Sequence, residues 1–370
     1  MSGSPFGARF DAVRARAAEL GVDAVLVSVG ADLPWLCGYE AMPLERLTML
    51  VVPRDGEATL VVPGLEAPRV VERPEFGLRP WGETEDPIAI VADLVRGAGR
   101  VAVGDRTWAR FVIDLAHALP GVELRKASEV TGPLRARKDD HEVVALCRAG
   151  AAADVVARAI QAGEIGLVGR TEADVSAEIG RRLVDEGHQR VNFAIVAAGE
   201  NAASPHHEPG ERRIAAGEGV LFDFGGTMHD EWGVGYCSDI TRCVWLGEPP
   251  AEAAEAYAAL HASHAAGVAA AQVGTPCQDV DRAARAVLVD AGLGEWFVHR
   301  TGHGIGVEEH EDPYLVEGND LPLEVGHAFS IEPGVYLPGR FGFRLEDCLA
   351  AAAAGPVSFT AADRDLRALG

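Results

Sequence analysis

The sequence has little positive charge. Lys126 and Lys138 are its only lysines, and 33 Lys and Arg residues face 56 Asp and Glu residues, which gives a net charge of −23 over 370 residues. A field of that sign repels nucleic-acid phosphates and anionic lipid surfaces. We therefore expect neither a nucleic-acid partner nor a membrane partner.

Long apolar runs and paired cysteines are also missing. No apolar run reaches the roughly 18 residues that a membrane span requires. The first thirty residues carry charges where a signal peptide has its apolar core, namely Arg9, Asp11, Arg14, Arg16 and Glu19. The six cysteines form no C-x-x-C pair, which predicts neither a zinc knuckle nor a disulfide framework. These absences favour a cytoplasmic location.

Composition and length indicate a globular chain of two or three domains. The hydrophobic content is 48% and the mean hydropathy is +0.06. An α/β domain is predicted over residues 1–130, where Phe10, Val13 and Ala17 share one helix face. Its other predicted elements are strands near 24–29, 48–52, 59–62 and 100–103 and helices near 87–97 and 107–118. A charged, turn-prone stretch at residues 128–140 is the predicted boundary.

A second domain is predicted over residues 138–370, and its elements repeat in order. They are helices at 142–161 and 171–186, strands near 191–197, 219–225 and 236–246, helices at 251–271 and from 275 onwards, and two strands within 327–351. Thr171 is the predicted N-cap of its second helix, and Thr275 with Gln278 predicts a capping box. The order of helix pair and strands, occurring twice, suggests an internal duplication.

Histidines and buried acidic residues concentrate in this second domain. Ten of the twelve histidines lie between His188 and His327. Four carboxylates stand on apolar, strand-like segments, namely Asp223, Asp239, Glu332 and Glu346. Burying them is costly unless each is paired or bound to a cation. Together with His303 they form a set of hard oxygen ligands and one imidazole, which suits two ions of Mn²⁺, Co²⁺, Fe²⁺ or Zn²⁺.

Six ordered runs of the second domain carry a family resemblance. They are residues 223–225 (DFG), 235–242 (GYCSDITR), 299–306 (HRTGHGIG), 310–311 (HE), 331–334 (IEPG) and 344–347 (RLED). With them the chain resembles the pita-bread metallopeptidases, and within these the Xaa-Pro dipeptidase (prolidase) and Xaa-Pro aminopeptidase branch. Residues 24–27 and 33–39 resemble the creatinase-type N-terminal domain of that branch.

The resemblance implies an α/β (α+β) fold in two parts. A creatinase-like α/β domain would occupy residues 1–130. A pita-bread domain, with a pseudo-twofold β-sheet flanked by helices, would occupy residues 138–370.

The resemblance also implies a metal-binding role for five residues. Asp223 would bind one metal ion, while Asp239 and Glu346 would bridge two. His303 and Glu332 would complete the shell of the second ion. The cofactors would be two divalent ions, Mn²⁺ first, with Co²⁺, Zn²⁺ or Fe²⁺ as alternatives. Glu332 would in addition accept and pass on the proton of the attacking water.

Five further residues would act on the substrate or on the ligands. His206 and His310 match the substrate-side histidines of the family, which stabilise the tetrahedral intermediate. Arg344 matches the arginine that orients the bridging glutamate or the carboxyl end of the substrate. Ser238 and Thr241 would orient the metal-binding carboxylates.

The implied activity is hydrolysis of an Xaa-Pro bond by a hydroxide that bridges two metal ions. The substrate would be a small peptide with proline at position two, either a dipeptide or the N-terminus of a longer peptide, and the enzyme would be a homodimer. An alternative is a metal-dependent hydrolase or lyase of a small non-peptide metabolite on the same scaffold. A creatinase-like amidinohydrolase and an inactive binding protein are disfavoured, because all five ligand residues are present.

One departure from the family pattern concerns the connection between the two aspartates. Fifteen residues separate Asp223 from Asp239, more than in the family's usual tight hairpin. The extra residues lie within 226–234, where Asp230 or Glu231 could bind a substrate amine or a further cation, but a solvated loop tip is the expectation. A structural role is expected for the remaining notable residues, which are His207, His261, His264, His299, His327 and Cys237.

Overall fold

The computed structural model describes residues 4–370, which form two compact units. The first unit contains the chain up to Arg135 together with Asp230–Gly235. The second unit contains Ala136–His229 and Tyr236–Gly370. Within residues 4–370, no helix is long and apolar enough to cross a membrane.

The first unit is built on a mixed six-stranded sheet. Its elements are α1 (Phe6–Glu19), β1 (Ala24–Val27), α2 (Asp32–Cys37), β2 (Met49–Pro53), β3 (Ala58–Pro63), β4 (Phe76–Trp81), α3 (Pro87–Leu94), β5 (Arg100–Val103), α4 (Ala109–Ala118), β6 (Glu123–Lys126) and α5 (Ser128–Ala136). The strand order is β4-β3-β2-β1-β5-β6, with β1 antiparallel to β2 and parallel to β5. Leu26, Val51 and Val101 of the central strands are buried in one cluster with Leu115 of α4. The predicted α/β fold is confirmed here.

The second unit has two helix pairs and two main sheets. Its elements are α6 (Asp140–Gln161), α7 (Glu172–Asp185), β7 (Arg190–Ala198), β8 (Gly219–His229), β9 (Gly235–Cys237), β10 (Ile240–Leu246), α8 (Ala251–Ala270), α9 (Cys277–Asp290), β11 (Gly302–Gly304), β12 (Glu311–Leu315), β13 (Ala328–Ile331), β14 (Gly334–Leu337), β15 (Phe341–Arg344), β16 (Asp347–Ala350), β17 (Val357–Ser358) and β18 (Arg367–Leu369). One sheet has the order β18-β10-β8-β7, with β9 attached to β8, and the other has the order β12-β11-β13-β16-β17. Strands β14 and β15 form a separate hairpin.

Each helix pair of the second unit buries an apolar stripe against one sheet. Val175 and Leu183 of α7 are fully buried and share a cluster with Phe222 of β8. Val280 of α9 shares another cluster with Phe329 of β13. Amphipathic helices of this kind gain stability by covering the apolar face of a sheet. The predicted repetition of helix pair and strands is therefore confirmed.

The turn predicted at residues 128–140 is wrong for most of its length. Ser128–Ala136 forms helix α5, although Pro133 lies inside it. Thr131 is 1% exposed, and its hydroxyl donates to Asp32 Oδ2 at 3.0 Å. Burial and polar contacts of this segment offset the cost of a proline within a helix.

The capping box predicted at the start of α9 is also wrong. The helix begins at Cys277 after Pro276, and no side chain caps it. The N–H groups of Cys277 and Gln278 donate instead to the carbonyl oxygens of Leu321 and Asn319. Backbone groups from a distant segment therefore satisfy the free N–H groups of this helix end.

Residues 327–351 form four strands where the sequence predicts two. In the β14–β15 hairpin Val335 lies opposite Phe343, and β13 pairs with β16 so that Phe329 lies opposite Leu349. The breaks at residues 332–333 and 345–346 are only two residues long, so the alternation pattern does not show where one strand ends and the next begins.

The connection between the two aspartates belongs in part to the first unit. In Asp230–Gly235, the ring of Trp232 lies 6.5 Å from that of Phe6, and Arg73 Nη2 donates to Trp232 O at 3.1 Å. Asp230 is 9% exposed, and its Oδ1 accepts two hydrogen bonds of 2.8 Å from backbone N–H groups of the same turn. The expected solvated tip is therefore wrong for Asp230.

Candidate metal centre

Strand pairing around Thr241 brings three carboxylates together. Asp223 in β8 lies opposite Thr241 in β10. Asp239 immediately precedes β10, and Glu346 forms an isolated β-bridge with Thr241. The Thr241 hydroxyl donates to Glu346 Oε2 at 2.7 Å. Register alone therefore places three acidic side chains around one threonine.

The sheet of β11 and β13 provides His303 and Glu332. The backbone N–H of His303 donates to Ser330 Oγ at 3.0 Å, and that of Glu332 donates to Thr301 O at 2.8 Å. A Cβ atom at Gly302 would lie 1.9 Å from Ser330 O. Glycine at this position therefore allows β11 to approach β13 closely enough to place both side chains.

The five predicted ligand residues lie at one site. Ligand atoms of Asp239, His303 and Glu346 are all within 4.8 Å of one another. His303 Nε2 is 3.8 Å from Asp239 Oδ2 and 3.2 Å from Glu332 Oε1. Asp223 faces the same cavity. Residues that are up to 123 positions apart in the sequence thus converge.

Three of the carboxylates have buried oxygen atoms that no group within residues 4–370 satisfies. These atoms are Asp223 Oδ1, Asp239 Oδ1 and Glu346 Oε1. Buried oxygen atoms are normally hydrogen-bonded, so three unpartnered ones in a cluster indicate a missing electropositive partner. Carboxylates with one imidazole are ligands that divalent cations accept. The donor set therefore fits a metal centre.

Crowding changes the ionisation of the cluster. Burial, followed by the charges of neighbouring carboxylates, raises the pKa of Asp239 and that of Glu346 well above the usual range. Burial also opposes ionisation of Glu332, but a hydrogen bond from His303 and the charge of His303 outweigh it and lower the pKa of Glu332 to about 2. A divalent cation would stabilise the ionised forms of the first two residues.

Arg344 connects Asp223 with groups on two other strands. Its Nη2 donates to Asp223 Oδ2, its Nη1 donates to the Tyr336 hydroxyl at 2.8 Å, and its Nε donates to Thr241 Oγ1 at 3.2 Å. Because Thr241 also donates to Glu346, Arg344 supports that glutamate through Thr241. The Arg344 guanidinium is therefore already bonded to one candidate metal ligand, Asp223, and to two residues beside the ligands.

A cavity of about 630 Å³ contains the cluster. His206, His310 and Arg344, to which the resemblance assigns substrate-side roles, all line it. The rings of His303 and His310 are 3.9 Å apart. Desolvation, followed by the charge of His303, lowers the pKa of His310 to about 4. A neutral His310 imidazole therefore faces the cavity at neutral pH.

Several wall residues are absent from the sequence-predicted set. They are Phe193, Ile195, Arg300, Glu309 and Val316. Arg300 lies within the 299–306 motif and Glu309 directly precedes the 310–311 motif, and that proximity is the signal that could have indicated them. Phe193 and Ile195 lie in β7, and only the pairing of β7 with β8 places them here. His299, expected to be structural, also lies on the wall.

Other singled-out residues bond away from the ligands. Ser238 Oγ lies 2.9 Å from His188 Nε2 and accepts from Gly226 N at 3.1 Å, so the expected orientation of a carboxylate by Ser238 is not seen. His207 Nε2 lies 2.8 Å from Glu172 Oε2, which agrees with its expected structural role.

Known proteins resemble the chain over both units. Residues 145–352 match the model of metallopeptidase family M24, and residues 9–137 match the model of the creatinase/prolidase N-terminal domain. A probable dipeptidase PepE of Mycobacterium tuberculosis is 42% identical, over 95% of this chain and 94% of its own length. An Xaa-Pro dipeptidase of Lactobacillus helveticus is 36% identical, over 93% of this chain and 94% of its own.

A solved structure extends the likeness to the fold. The crystal structure of a prolidase from Thermococcus sibiricus superposes with a TM-score of 0.91 and 33% identity, covering 99% of both chains. The chain therefore belongs to metallopeptidase family M24, in the pita-bread prolidase branch that its motifs predict.

Proposed function

We propose that this chain hydrolyses the peptide bond between a first residue and a following proline, in dipeptides or at the N-terminus of short peptides. The observation that carries the proposal is the cluster of four carboxylates and one histidine in a single cavity, with three buried oxygen atoms lacking a partner within residues 4–370. Relatives named dipeptidase and Xaa-Pro dipeptidase match almost the whole chain and support it.

We assign the metal-binding role to Asp223, Asp239, His303, Glu332 and Glu346, which would hold two divalent ions. The ions would be Mn²⁺ first, with Co²⁺, Zn²⁺ or Fe²⁺ as alternatives. Such a pair would supply a hydroxide at neutral pH and stabilise the negative charge that develops on the scissile carbonyl oxygen. Four carboxylates would neutralise the four positive charges of the pair.

Glu332 is the side chain that we assign to proton transfer. Its Oε1 accepts a hydrogen bond from Ser330 Oγ at 3.1 Å and lies 3.2 Å from His303 Nε2. These contacts fix the carboxylate beside the candidate ligands, in a position to accept a proton from a water molecule in the cavity.

His206 and His310 are the residues that we assign to the substrate. Both line the cavity, and His310 packs on His303. A neutral His310 can donate a hydrogen bond to the developing oxyanion without bringing an additional positive charge to the ligands. Arg344 acts as a positioning residue, because its N–H groups already bind Asp223, Tyr336 and Thr241.

Proline gives the reaction a chemical rationale. Its imide nitrogen lacks the N–H group that general peptidases bind, so a dedicated site is needed.

The homodimer and the cytoplasmic location stay predictions. All six cysteines are unpaired, which supports a reducing compartment.

The longer connection between Asp223 and Asp239 is the feature of the sequence that could favour the non-peptide alternative, since it carries Asp230 and Glu231. Asp230 and Glu231 of this connection are not among the residues that line the 630 Å³ cavity within the part of the chain described here. The connection therefore gives no support to a different substrate.

Peptide hydrolysis by metal-stripped protein resupplied with Mn²⁺, Co²⁺ or Zn²⁺ tests the proposal. We expect cleavage of Ala-Pro, Gly-Pro or Ala-Pro-Ala and none of Ala-Ala. Asp239→Ala should lower kcat/KM by about 10³-fold or more. The matched control is Asp93→Ala, which removes an acid whose side chain is 70% exposed and should change nothing. Metal binding without cleavage of any Xaa-Pro peptide would overturn the assignment.

A further inference from the structure

Glu172 is a fully buried acid that the proposed reaction does not use. It is the first residue of α7, and its side chain is 0% exposed. Burying an ionised carboxylate is costly unless hydrogen-bond donors surround it. The donors that bond to it belong to residues 198–210, namely Ala198 N at 2.8 Å, Asn201 Nδ2 at 3.0 Å, His207 Nε2 at 2.8 Å and Gly210 N at 3.5 Å. One carboxylate thus gathers four points of a single segment.

This segment carries His206 to the cavity. His206 lines the cavity, but within residues 4–370 its ring forms no hydrogen bond and no ion pair. The backbone on either side must therefore place the ring. On one side Arg344 Nη1 donates to Pro205 O at 3.3 Å, and on the other His207 bonds to Glu172. His206 thus lies between two anchored neighbours.

The buried carboxylate holds both ends of the loop around His206. Before this histidine, its Oε1 accepts from the N–H of Ala198 and the amide of Asn201. After it, its Oε2 accepts from His207 and from the N–H of Gly210. Contacts at both ends restrict the path of the loop. Misplacing a group that acts on the substrate by about 1 Å can cost roughly 10²-fold in rate, so this restriction matters for the reaction.

Helix α7 is a rigid base for these contacts. Val175 and Leu183 of the helix are buried in one cluster with Phe222 of β8. Asp223, a candidate metal ligand, is the next residue of β8. The helix that carries Glu172 is therefore packed on a strand that carries a candidate ligand. Its carboxylate thereby relates the position of the loop to that of the metal centre.

We propose that Glu172 is a positioning residue, which holds His206 at the cavity through its hydrogen bonds to His207 and Asn201. The assignment rests on the proposed Xaa-Pro hydrolysis, in which His206 acts on the substrate, and it gives His207 a role in the reaction beyond packing. Glu172 is fully buried and is not among the described residues that line the cavity. Its effect on the reaction must therefore pass through the loop that carries His206.

Substitutions in two backgrounds test the proposal. Hydrolysis of Ala-Pro by the Mn²⁺-loaded enzyme is measured for Glu172→Gln and His207→Ala, each made in the wild type and in His206→Ala. In the wild type we expect kcat/KM to fall by about tenfold for either change. In His206→Ala both changes should alter kcat/KM by less than about twofold, because the side chain that they position is absent.

His207→Gln and Glu178→Gln are the matched controls. Glutamine carries an N–H donor about as far from the backbone as histidine Nε2, so His207→Gln should restore most of the activity that His207→Ala loses. Glu178 lies in the same helix, but its carboxylate pairs with Arg170 and Arg182. Glu178→Gln should leave kcat/KM within about twofold of wild type. Mn²⁺ affinity, measured by calorimetry, should be unchanged in every variant, because none of them removes a candidate metal ligand.

Three results would overturn the assignment while leaving Xaa-Pro hydrolysis intact. One is an equal loss in both backgrounds, which would mean that Glu172 acts on the fold as a whole. The second is full activity of His207→Ala, and this variant decides alone if Glu172→Gln does not fold, because the His207 side chain is 20% exposed. The third is failure of His207→Gln to restore activity. Cleavage of no Xaa-Pro peptide by metal-loaded wild type would overturn the proposed function and this assignment with it.

Discussion

Tyr336 joins His299 to Arg344 through a chain of buried hydrogen bonds. His299 Nδ1 lies 2.7 Å from Arg300 O, and a carbonyl only accepts, so Nδ1 carries the hydrogen. His299 Nε2 must then accept from the Tyr336 hydroxyl at 2.8 Å, and that hydroxyl accepts from Arg344 Nη1 at 2.8 Å. Each hydrogen bond of the chain thus has a defined donor and acceptor, and together they fix the arginine that holds Asp223.

Tyr336→Phe should therefore weaken both stability and activity. Arg344 and His299 each lose a buried partner, which costs about 1–3 kcal/mol of unfolding free energy. We also expect kcat/KM for Xaa-Pro cleavage to fall by about tenfold, because Arg344 is less well fixed. Tyr257→Phe is the control, since this buried tyrosine bonds to Arg364 O in a different part of the core. Equal activity of the two variants would contradict a positioning role for Tyr336.

His327 should make stability depend on pH. It is 3% exposed, and burial, with the charges of Lys138 and Arg137 acting in the same direction, lowers its pKa to about 4. Its Nδ1 accepts from Glu324 N at 3.1 Å, a bond that only the unprotonated ring makes. The unfolded chain binds this proton near pH 6.5, so the stability that neutral His327 contributes is lost as pH falls from about 6.5 to 4.

Denaturant unfolding at about pH 7.5 and about pH 5 measures this effect. The wild type should lose more stability between the two values than His327→Gln does. His117→Gln, which changes an exposed histidine of α4, should behave as wild type. Identical pH dependence of wild type and His327→Gln would show that this ring is not the group responsible.

Single residues of the site differ in how far the sequence could reveal them. Asp223 and Glu346 could be singled out because carboxylates are unusual on apolar strands. Tyr336 could not be singled out in this way. Tyr336 bonds to His299, 37 residues away, and only strand pairing creates that contact. A tyrosine in a strand is ordinary on its own, so nothing in its local pattern marks it.

Helix ends show how local patterns succeed or fail at the scale of elements. Thr171 caps α7 as the sequence predicts, since its hydroxyl accepts from Asp174 N at 3.0 Å. Thr275 has the same local signature, but α9 starts two residues later and its first N–H groups bond to a distant segment. A capping pattern describes what the side chain can do, and tertiary partners decide whether it is needed.

The two threonines therefore predict different costs for the same substitution. Thr171→Ala should lower the unfolding free energy by about 1 kcal/mol, because α7 loses its cap. Thr275→Ala should cost less than about 0.5 kcal/mol, because the hydroxyl caps nothing. Chemical denaturation of both variants measures the difference. If Thr275→Ala lowered the unfolding free energy by more than about 0.5 kcal/mol, the start of α9 would depend on this side chain.

At the scale of the whole molecule, the motifs and their order were enough to predict the fold class. The assignment of Asp230–Gly235 to the first unit could not be predicted in this way. It depends on the contacts of Trp232 with Phe6 and Arg73, two residues that are distant from Trp232 in the sequence. Polar composition indicates a loop, but it does not indicate which surface the loop covers.

The acidic cluster should make the stability of the whole chain depend on metal. Burial and mutual repulsion destabilise the ionised forms of Asp239 and Glu346, and their unpartnered oxygen atoms lose hydration without compensation. A cation that binds only the folded state adds RT ln(1 + [L]/Kd), about 2.7 kcal/mol at one hundred times Kd. The thermal midpoint should therefore fall on chelation and rise with added Mn²⁺ in a concentration-dependent way.

Two variants decide whether this linkage comes from the cluster. Asp239→Ala should largely remove the metal-dependent shift, because Asp239 is one of the three residues whose ligand atoms lie within 4.8 Å of one another. In the metal-free state we expect the midpoint of this variant to equal or exceed that of wild type, because removing one of several repelling carboxylates relieves the others. Glu255→Ala, on the exposed side of α8, should keep the full shift. A shift of equal size in all three proteins would place the stabilising ions elsewhere on this strongly acidic surface.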